Sequence, residues 1–169
     1  MIIYVNDVII AAKKLNDIKN IIKEFKRRFD VHEMGEPKRF LGINIKRNRE
    51  EKKIFIDQTD YIESALDRFG LANSREMNKL QKYDPIRENK EIDSQIIQQM
   101  LGVLQYLACK TRPDISYIVN RLSQEIQRPT EHLLNCVKGI FKYLKYTRRH
   151  QLILGVVIKT IIVNLEVAV

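Results

Sequence analysis

The residues with the clearest chemical potential are Asn6 and Asp7, which separate two β-branched runs at residues 2–5 and 8–12. Two such runs around a polar pair predict a hairpin with a two-residue turn. A hairpin tip holds its side chains rigidly, and carboxylates there can bind the metal ions, about 3.5 to 4 Å apart, of two-metal phosphoryl transfer. Asn and Asp are also favoured in hairpin turns for conformational reasons, so the pair alone leaves both interpretations open.

Two segments in the first half of the chain have apolar residues at helical spacing. The first extends from 18 to 29, and either Asn16 or Asp17 can cap its N-terminus. The second extends from 61 to 69, and Gly70 stands where a helix commonly ends. We expect each helix to bury one apolar face.

Strand patterns lie between these two helices. Residues 39–46 predict a strand with an irregularity near Gly42, because glycine inside a strand pattern often marks a bulge or bend. A charged turn at 48–53 then leads into the apolar residues 54–56. This succession predicts a second hairpin.

The second half of the chain is predicted to be helical. Residues 72–91 are polar, contain Pro85 and have no clear period, so they predict an exposed connection and the best candidate domain boundary. Three segments with helical spacing follow, at 93–109, 114–127 and 130–146. A small helical bundle is the simplest way to bury their apolar faces.

The composition favours a polyanionic partner. The 169 residues are 44% apolar, which is enough for a core, and 30 Lys and Arg against 21 Asp and Glu give a formal net charge of +9. Such a charge suits nucleic acid or an anionic membrane surface. Cys109 and Cys136 have no metal-ligand spacing, so neither a zinc site nor a disulfide framework is expected. The apolar tail at 151–169 contains Lys159 and is expected to form strands rather than a membrane span.

Several short motifs stand in a characteristic order along residues 1–146. They are Tyr4-Val5-Asn6-Asp7, Met34-Gly35-Glu36, Phe40-Leu41-Gly42-Ile43, Phe55-Ile56-Asp57-Gln58, Tyr61-Ile62, Leu101-Gly102-Val103-Leu104-Gln105-Tyr106-Leu107, Thr111-Arg112-Pro113-Asp114-Ile115, and His132 with Tyr143-Leu144-Lys145. This succession resembles copia-type retrotransposon reverse transcriptases. The Thr-Arg-Pro-Asp-Ile string is the most specific single marker, whereas Met34 replaces a leucine expected in the family.

The resemblance implies an α+β fold, with a partial reverse-transcriptase palm of antiparallel hairpins and helices followed by a small helical region. Residues 1–71 would form the partial palm, with the catalytic-turn hairpin and a primer-grip-like strand. Residues 72–92 would be the exposed connection, and residues 93–147 a thumb-like or connecting region. Residues 148–169 would be a divergent apolar tail.

The resemblance also assigns chemistry to the turn. Asp7 would be a catalytic residue and a ligand for Mg²⁺, whereas Asn6 stands in place of the first of the family's paired aspartates. An amide lacks the negative charge that holds Mg²⁺, and the family's third carboxylate lies on an earlier palm strand. We therefore expect a truncated, inactive fragment of an RNA-directed DNA polymerase that does not hold Mg²⁺ productively. The alternatives are a non-catalytic nucleic-acid-binding module or a non-functional relic of an open reading frame.

The same resemblance makes Phe40, Leu41 and Gly42 candidates for contacts with a primer end. The alternative is a plain core strand. The family substrate is an RNA or DNA primer-template, the missing fingers and palm could be supplied in trans, and an intracellular location is expected, with no membrane partner.

Two helices carry basic side chains on one side, which could contact the phosphates of a nucleic-acid backbone. On the first helix they are Lys19, Lys23, Lys26 and Arg27, and on the last they are Lys138, Lys142, Lys145 and Arg149. Spacings of four, three and four place the second set on one helical stripe. A solvated lysine face is the alternative interpretation of both sets.

Overall fold

The computed structural model describes residues 1–82, 92–127, 129–155 and 161–167. These residues form two four-stranded sheets and five α-helices, which confirms the α+β class. Two compact units are present: Met1–Phe55 with Ile153–Val169, and Ile56–Leu152. The divisions between these units fall after residues 55 and 152. The candidate domain boundary at 72–91 stays a prediction. None of the helices described is long and apolar enough to cross a membrane.

In the described residues, six strands and two α-helices occupy the first part of the chain, and three α-helices followed by two strands occupy the rest. The strands are β1 (Ile2–Tyr4), β2 (Asp7–Ala12), β3 (Val31–Gly35), β4 (Arg39–Phe40), β5 (Ile43–Asn48), β6 (Lys53–Asp57), β7 (Leu152–Gly155) and β8 (Ile161–Val167). The helices are α1 (Leu15–Lys26), α2 (Thr59–Arg68), α3 (Ser94–Lys110), α4 (Ser116–Ser123) and α5 (Glu131–Tyr146), with a 3-10 helix at Pro113–Ile115 before α4.

The first sheet has the strand order β1-β2-β8-β3, and the pairings of β2 and β3 with β8 are antiparallel. The end of the chain, expected from its sequence to be a divergent tail, thus supplies an interior strand. The predicted first hairpin is present, but its position differs by one residue. Tyr4 pairs with Asp7, so the turn consists of Val5 and Asn6, and Asp7 begins β2.

Helix α1 covers the core of the first unit. Alternate β2 residues Val8 and Ile10 are buried with Ile18 and Ile22 of α1 and with Leu165 of β8. This arrangement follows from the period of two in a strand and the i, i+4 spacing in a helix.

The predicted N-cap of α1 is wrong. The cap residue is Lys14, which has extended backbone angles, and its side chain makes no capping hydrogen bond. Asn16 and Asp17 lie inside the first turn instead, where Asp17 is favourably placed for the helix dipole. The helix ends at Lys26, so Phe29 lies beyond it and is 53% exposed.

The second sheet has the order β4-β5-β6-β7. The strand expected at residues 39–46 is in fact a short hairpin, because Leu41 and Gly42 both have positive φ and connect the antiparallel pair Phe40 and Ile43. Two residues with positive φ are typical of the tightest hairpin turns. The hairpin predicted from β5 to β6 is confirmed, with a positive φ at Lys52 in its charged turn.

The second unit is a helical bundle, as predicted, with one large cluster of buried apolar side chains. Four side chains of this cluster are completely buried: Ile97, Leu104 and Leu107 of α3 and Phe141 of α5. Thr130 caps α5 as predicted, accepting a hydrogen bond at 3.1 Å from the backbone N–H of Leu133. Because the cap satisfies a free N–H at the first turn, it defines where the helix begins.

The first part of the predicted exposed connection is anchored to α5. The Met77 N–H donates to the Lys142 carbonyl at 3.2 Å, and Lys145 Nζ donates to the Ser74 carbonyl at 2.8 Å. The expectation for residues 83–91, with Pro85, lies outside the described residues.

The strings that carry the family resemblance in this unit form buried polar contacts. Arg112 is 2% exposed, and its guanidinium donates to both carboxylate oxygens of Asp114 at 2.9 and 2.7 Å. It also donates to the hydroxyl of Thr147 at 2.6 Å, beyond the end of α5. The Tyr143 hydroxyl donates to Asp114 at 2.9 Å, and Thr111 donates to Gln58 at 2.8 Å. These bonds join the 3-10 helix to α5 and the start of α2 to the end of α3.

Two pKa shifts follow from this cluster. Burial raises the pKa of Asp114, but the hydrogen bond and charge of Arg112 and the Tyr143 hydroxyl lower it by more, so its pKa lies below the ordinary 3.8. Burial, together with the bond to Asp114, raises the pKa of Tyr143. Tyr143 therefore remains a hydrogen-bond donor at neutral pH.

We predict that Asp114→Ala destabilises the helical unit more than Arg112→Met. Removal of the carboxylate leaves the desolvated guanidinium without a counter-charge and lowers the free energy of unfolding by about 3 kcal/mol. This is the low end of the range for breaking a buried ion pair, because Asp114 is partly exposed. Losing Arg112 leaves a carboxylate that water can reach, and costs about 1 kcal/mol. Urea unfolding monitored by hydrogen exchange of α3 and α5 amides measures both. Equal losses would contradict this prediction.

The Asp114→Ala comparison also has a pH dependence with a definite sign. A depressed pKa stabilises the folded state above the unfolded pKa, and this stabilisation is lost as pH falls through the folded value. The stability difference between wild type and variant should be complete above pH 3.8 and shrink below it.

Candidate catalytic turn and nucleic-acid interface

The turn of the first hairpin is strained and exposed. Val5 has a φ of 48° and is 80% exposed, although a β-branched residue rarely adopts the left-handed conformation. Such strain costs about 1 to 3 kcal/mol and occurs most often at functional sites. Asn6 and Asp7 are half-buried, at the second turn residue and the first residue of β2.

Strand β8 brings a second carboxylate beside Asp7. Asp7 is the direct partner of Glu166, which on its other side pairs with His32 of β3. Directly opposed residues in antiparallel strands share a face, with Cβ atoms about 4.5 to 5.5 Å apart. Sequence reasoning missed Glu166 as a neighbour of Asp7 because no local pattern in the tail shows which strand it pairs with.

The side chains at the turn do not fit a two-magnesium centre. Asp7 and Glu166 supply two negative charges, and Asn6 supplies only a neutral amide oxygen. Two Mg²⁺ ions carry four positive charges and need bridging carboxylates. Within the described ranges, no group of three or more His, Cys, Asp or Glu side chains could hold a metal ion.

The primer-grip-like residues are at the tip of the β4-β5 hairpin. Phe40 ends β4, and Leu41 and Gly42 form the turn, all three half-buried. They therefore belong to the second sheet, whereas Asn6 and Asp7 belong to the first. The plain core strand is therefore wrong for Leu41 and Gly42, which form a turn, and the primer contact stays a prediction.

The basic residues of α1 fall into two pairs. Lys19 and Lys23 are exposed, and in the part of the chain that is described no carboxylate pairs with either. Lys26 pairs with Glu33 at 2.7 Å, and Arg27 pairs with Glu24 at 2.6 Å. Only the first pair is available to a phosphate without breaking an ion pair.

The four basic residues predicted to form one stripe on α5 lie in different surroundings in the structure. Lys138 and Lys142 remain half-exposed on the helix, but Lys145 is held by the Ser74 carbonyl. Arg149 lies beyond the end of α5 at Tyr146, so the four residues do not form one helical stripe. Arg148, which sequence reasoning did not select, donates to Glu76 at 3.1 Å.

A cleft of about 670 Å³ lies between residues 75–81 and α5. Lys142 and Tyr146 line it on the α5 side. A second cleft of about 390 Å³ shares Leu80 and Gln81 with the first. Sequence reasoning missed both because residues 72–91 have no period that predicts packing against a helix.

Comparisons with known proteins agree with the motif order. Residues 1–82 match the family model described as reverse transcriptase (RNA-dependent DNA polymerase). The retrovirus-related Pol polyprotein from transposon RE1 of Arabidopsis thaliana is 35% identical over 161 residues, which cover 91% of this chain and 11% of the relative. The corresponding polyprotein from transposon TNT 1-94 of Nicotiana tabacum is 28% identical over 157 residues, covering 87% and 12%.

A shorter relative is also similar. An uncharacterised mitochondrial protein of Arabidopsis thaliana is 30% identical over 155 residues, which cover 90% of this chain and 63% of that protein. No solved structure is significantly similar to the chain. The chain belongs to the reverse transcriptase family of copia-type retrotransposon Pol polyproteins and corresponds to a segment of such a protein.

Proposed function

We propose that this chain is a reverse-transcriptase segment without independent RNA-directed DNA polymerase activity. In this proposal the first unit derives from part of the palm, and the helical unit from a thumb-like or connecting region. The observation that carries the proposal is the charge at the hairpin, where Asn6 leaves Asp7 with Glu166 as its one carboxylate partner across the strand pair.

The family chemistry uses divalent cations to activate a primer hydroxyl and to stabilise the leaving phosphate. A neutral amide at position 6 removes one unit of negative charge from the tip, where the ions would bind. Two Mg²⁺ ions would carry four positive charges, and the carboxylates of Asp7 and Glu166 would compensate only two of them. The polymerase step therefore lacks its electrostatic support.

We predict that the purified chain does not extend a primer annealed to an RNA or DNA template in the presence of Mg²⁺. A complete reverse transcriptase assayed in parallel shows that the substrate is competent. Asn6→Asp adds a third carboxylate and should bind Mn²⁺ more tightly than wild type. Extension by the wild-type chain that disappears in Asp7→Asn would overturn the proposal.

A second candidate function is supported by cations that have no carboxylate partner among the described residues. The net charge of +9 suits binding of a nucleic-acid backbone without base recognition. Lys19 and Lys23 are exposed on α1, and Lys138 and Lys142 are half-exposed on α5. This function needs no metal and survives the loss of the catalytic charge. We propose it as the remaining molecular activity of the segment.

Binding of a primer-template duplex should fall steeply as salt rises. Each neutralised phosphate contributes about 0.9 to the slope of log affinity against log salt, so Lys19→Gln with Lys23→Gln should reduce the slope by about 2. The matched control is Lys26→Gln with Arg27→Gln, which removes the same charge from the same helix. A smaller reduction is expected there, because these cations are already paired. A salt-independent affinity would exclude backbone binding.

A further inference from the structure

The two clefts of the helical unit adjoin each other. Leu80 and Gln81 line both of them, so the segment at 75–82 separates one concave surface from the next. Lys142 and Tyr146 face the first cleft, and Tyr117 faces the second. All of these lining residues belong to one compact unit.

The acidic side chains of these clefts are already neutralised. Glu76 in the first cleft pairs with Arg148 at 3.1 Å, and Asp114 in the second pairs with Arg112 at 2.7 Å. The cations of the first cleft differ, because Arg75, Lys79 and Lys142 have no carboxylate partner among residues 1–82, 92–127, 129–155 and 161–167. Among the described residues, the first cleft therefore presents positive charge that no carboxylate compensates.

Each cleft also has an exposed tyrosine at its wall. Tyr146 is 54% exposed and Tyr117 is 81% exposed. Only Ile96 joins them as an exposed large apolar side chain in the described part of this unit. Flat aromatic rings beside unpaired cations are the combination that binds single strands, with bases on the rings and phosphates on the cations.

We propose that these adjoining clefts bind a single strand of nucleic acid. Arg75, Lys79 and Lys142 contact its phosphates, and Tyr146 and Tyr117 stack on its bases. The proposal rests on the nucleic-acid binding proposed above and names the strand that is bound. A duplex fits less well, since its bases are stacked on one another and present no free face to a tyrosine ring.

The stacking part is tested with fluorescein-labelled oligothymidylate and the full chain, by fluorescence anisotropy. Tyr146→Leu and Tyr117→Leu keep an apolar side chain but remove the ring. Base stacking is worth about 1 to 3 kcal/mol, so each variant should weaken binding by about five-fold to 150-fold. Circular dichroism confirms that each variant is folded, and Ile96→Ala, at an exposed position outside both clefts, serves as the matched control.

The charge part is tested by the triple variant Arg75→Gln, Lys79→Gln and Lys142→Gln. At about 0.7 per phosphate for a single strand, the salt slope should decrease by about 2. The control variant Lys13→Gln, Lys14→Gln and Lys110→Gln removes the same charge from exposed positions outside the clefts. It should change the slope by much less.

The outcomes distinguish the two proposals. If the wild-type chain binds nucleic acid and the tyrosine or cleft-cation variants bind it equally tightly, the cleft assignment is overturned. Backbone binding is then left intact. Tighter binding of a duplex than of a single strand overturns the strand assignment. Failure of the wild-type chain to bind either probe overturns both proposals.

Discussion

The first sheet depends on one strand that arrives from the far end of the chain. Strand β8 pairs with β2 on one side and with β3 on the other, and Leu165 completes the core formed by Val8, Ile10 and α1. Without it, β2 and β3 would each present a row of unpaired backbone groups, and part of their apolar face would contact water. The position of the hairpin that carries Asp7 therefore depends on the pairing between β2 and β8.

The helical unit is organised around a desolvated charge. Arg112 is paired with Asp114 and bonded to Thr147, so its burial is compensated at both ends of the guanidinium. The strings that carry the resemblance to reverse transcriptases here support packing and hydrogen bonds. At the hairpin turn, by contrast, our proposal is that Asn6 stands where the family has an aspartate. On that proposal the chain keeps the packing framework of the family and lacks part of the negative charge that the reaction needs.

Local patterns predicted the elements that depend on local physics. The hairpins, the helices and the Thr130 cap follow from periodicity and capping preferences, which act over a few residues. The partner of β8 could not be predicted, because neither residues 7–12 nor residues 161–167 contain a local sequence pattern that specifies their pairing. The clefts were missed for a related reason, since residues 75–81 are mostly polar and have no regular period. Their position depends on a backbone hydrogen bond to α5 and on the packing of Leu80 against the core.

Cross-strand nuclear Overhauser effects in the labelled chain would show whether β8 completes the sheet behind the turn and places Glu166 opposite Asp7. We expect backbone contacts between residues 7 and 166 and between 33 and 165, alongside those between 4 and 7 within the hairpin. A spectrum with the hairpin contacts present and both sets of β8 contacts absent would rule out this pairing.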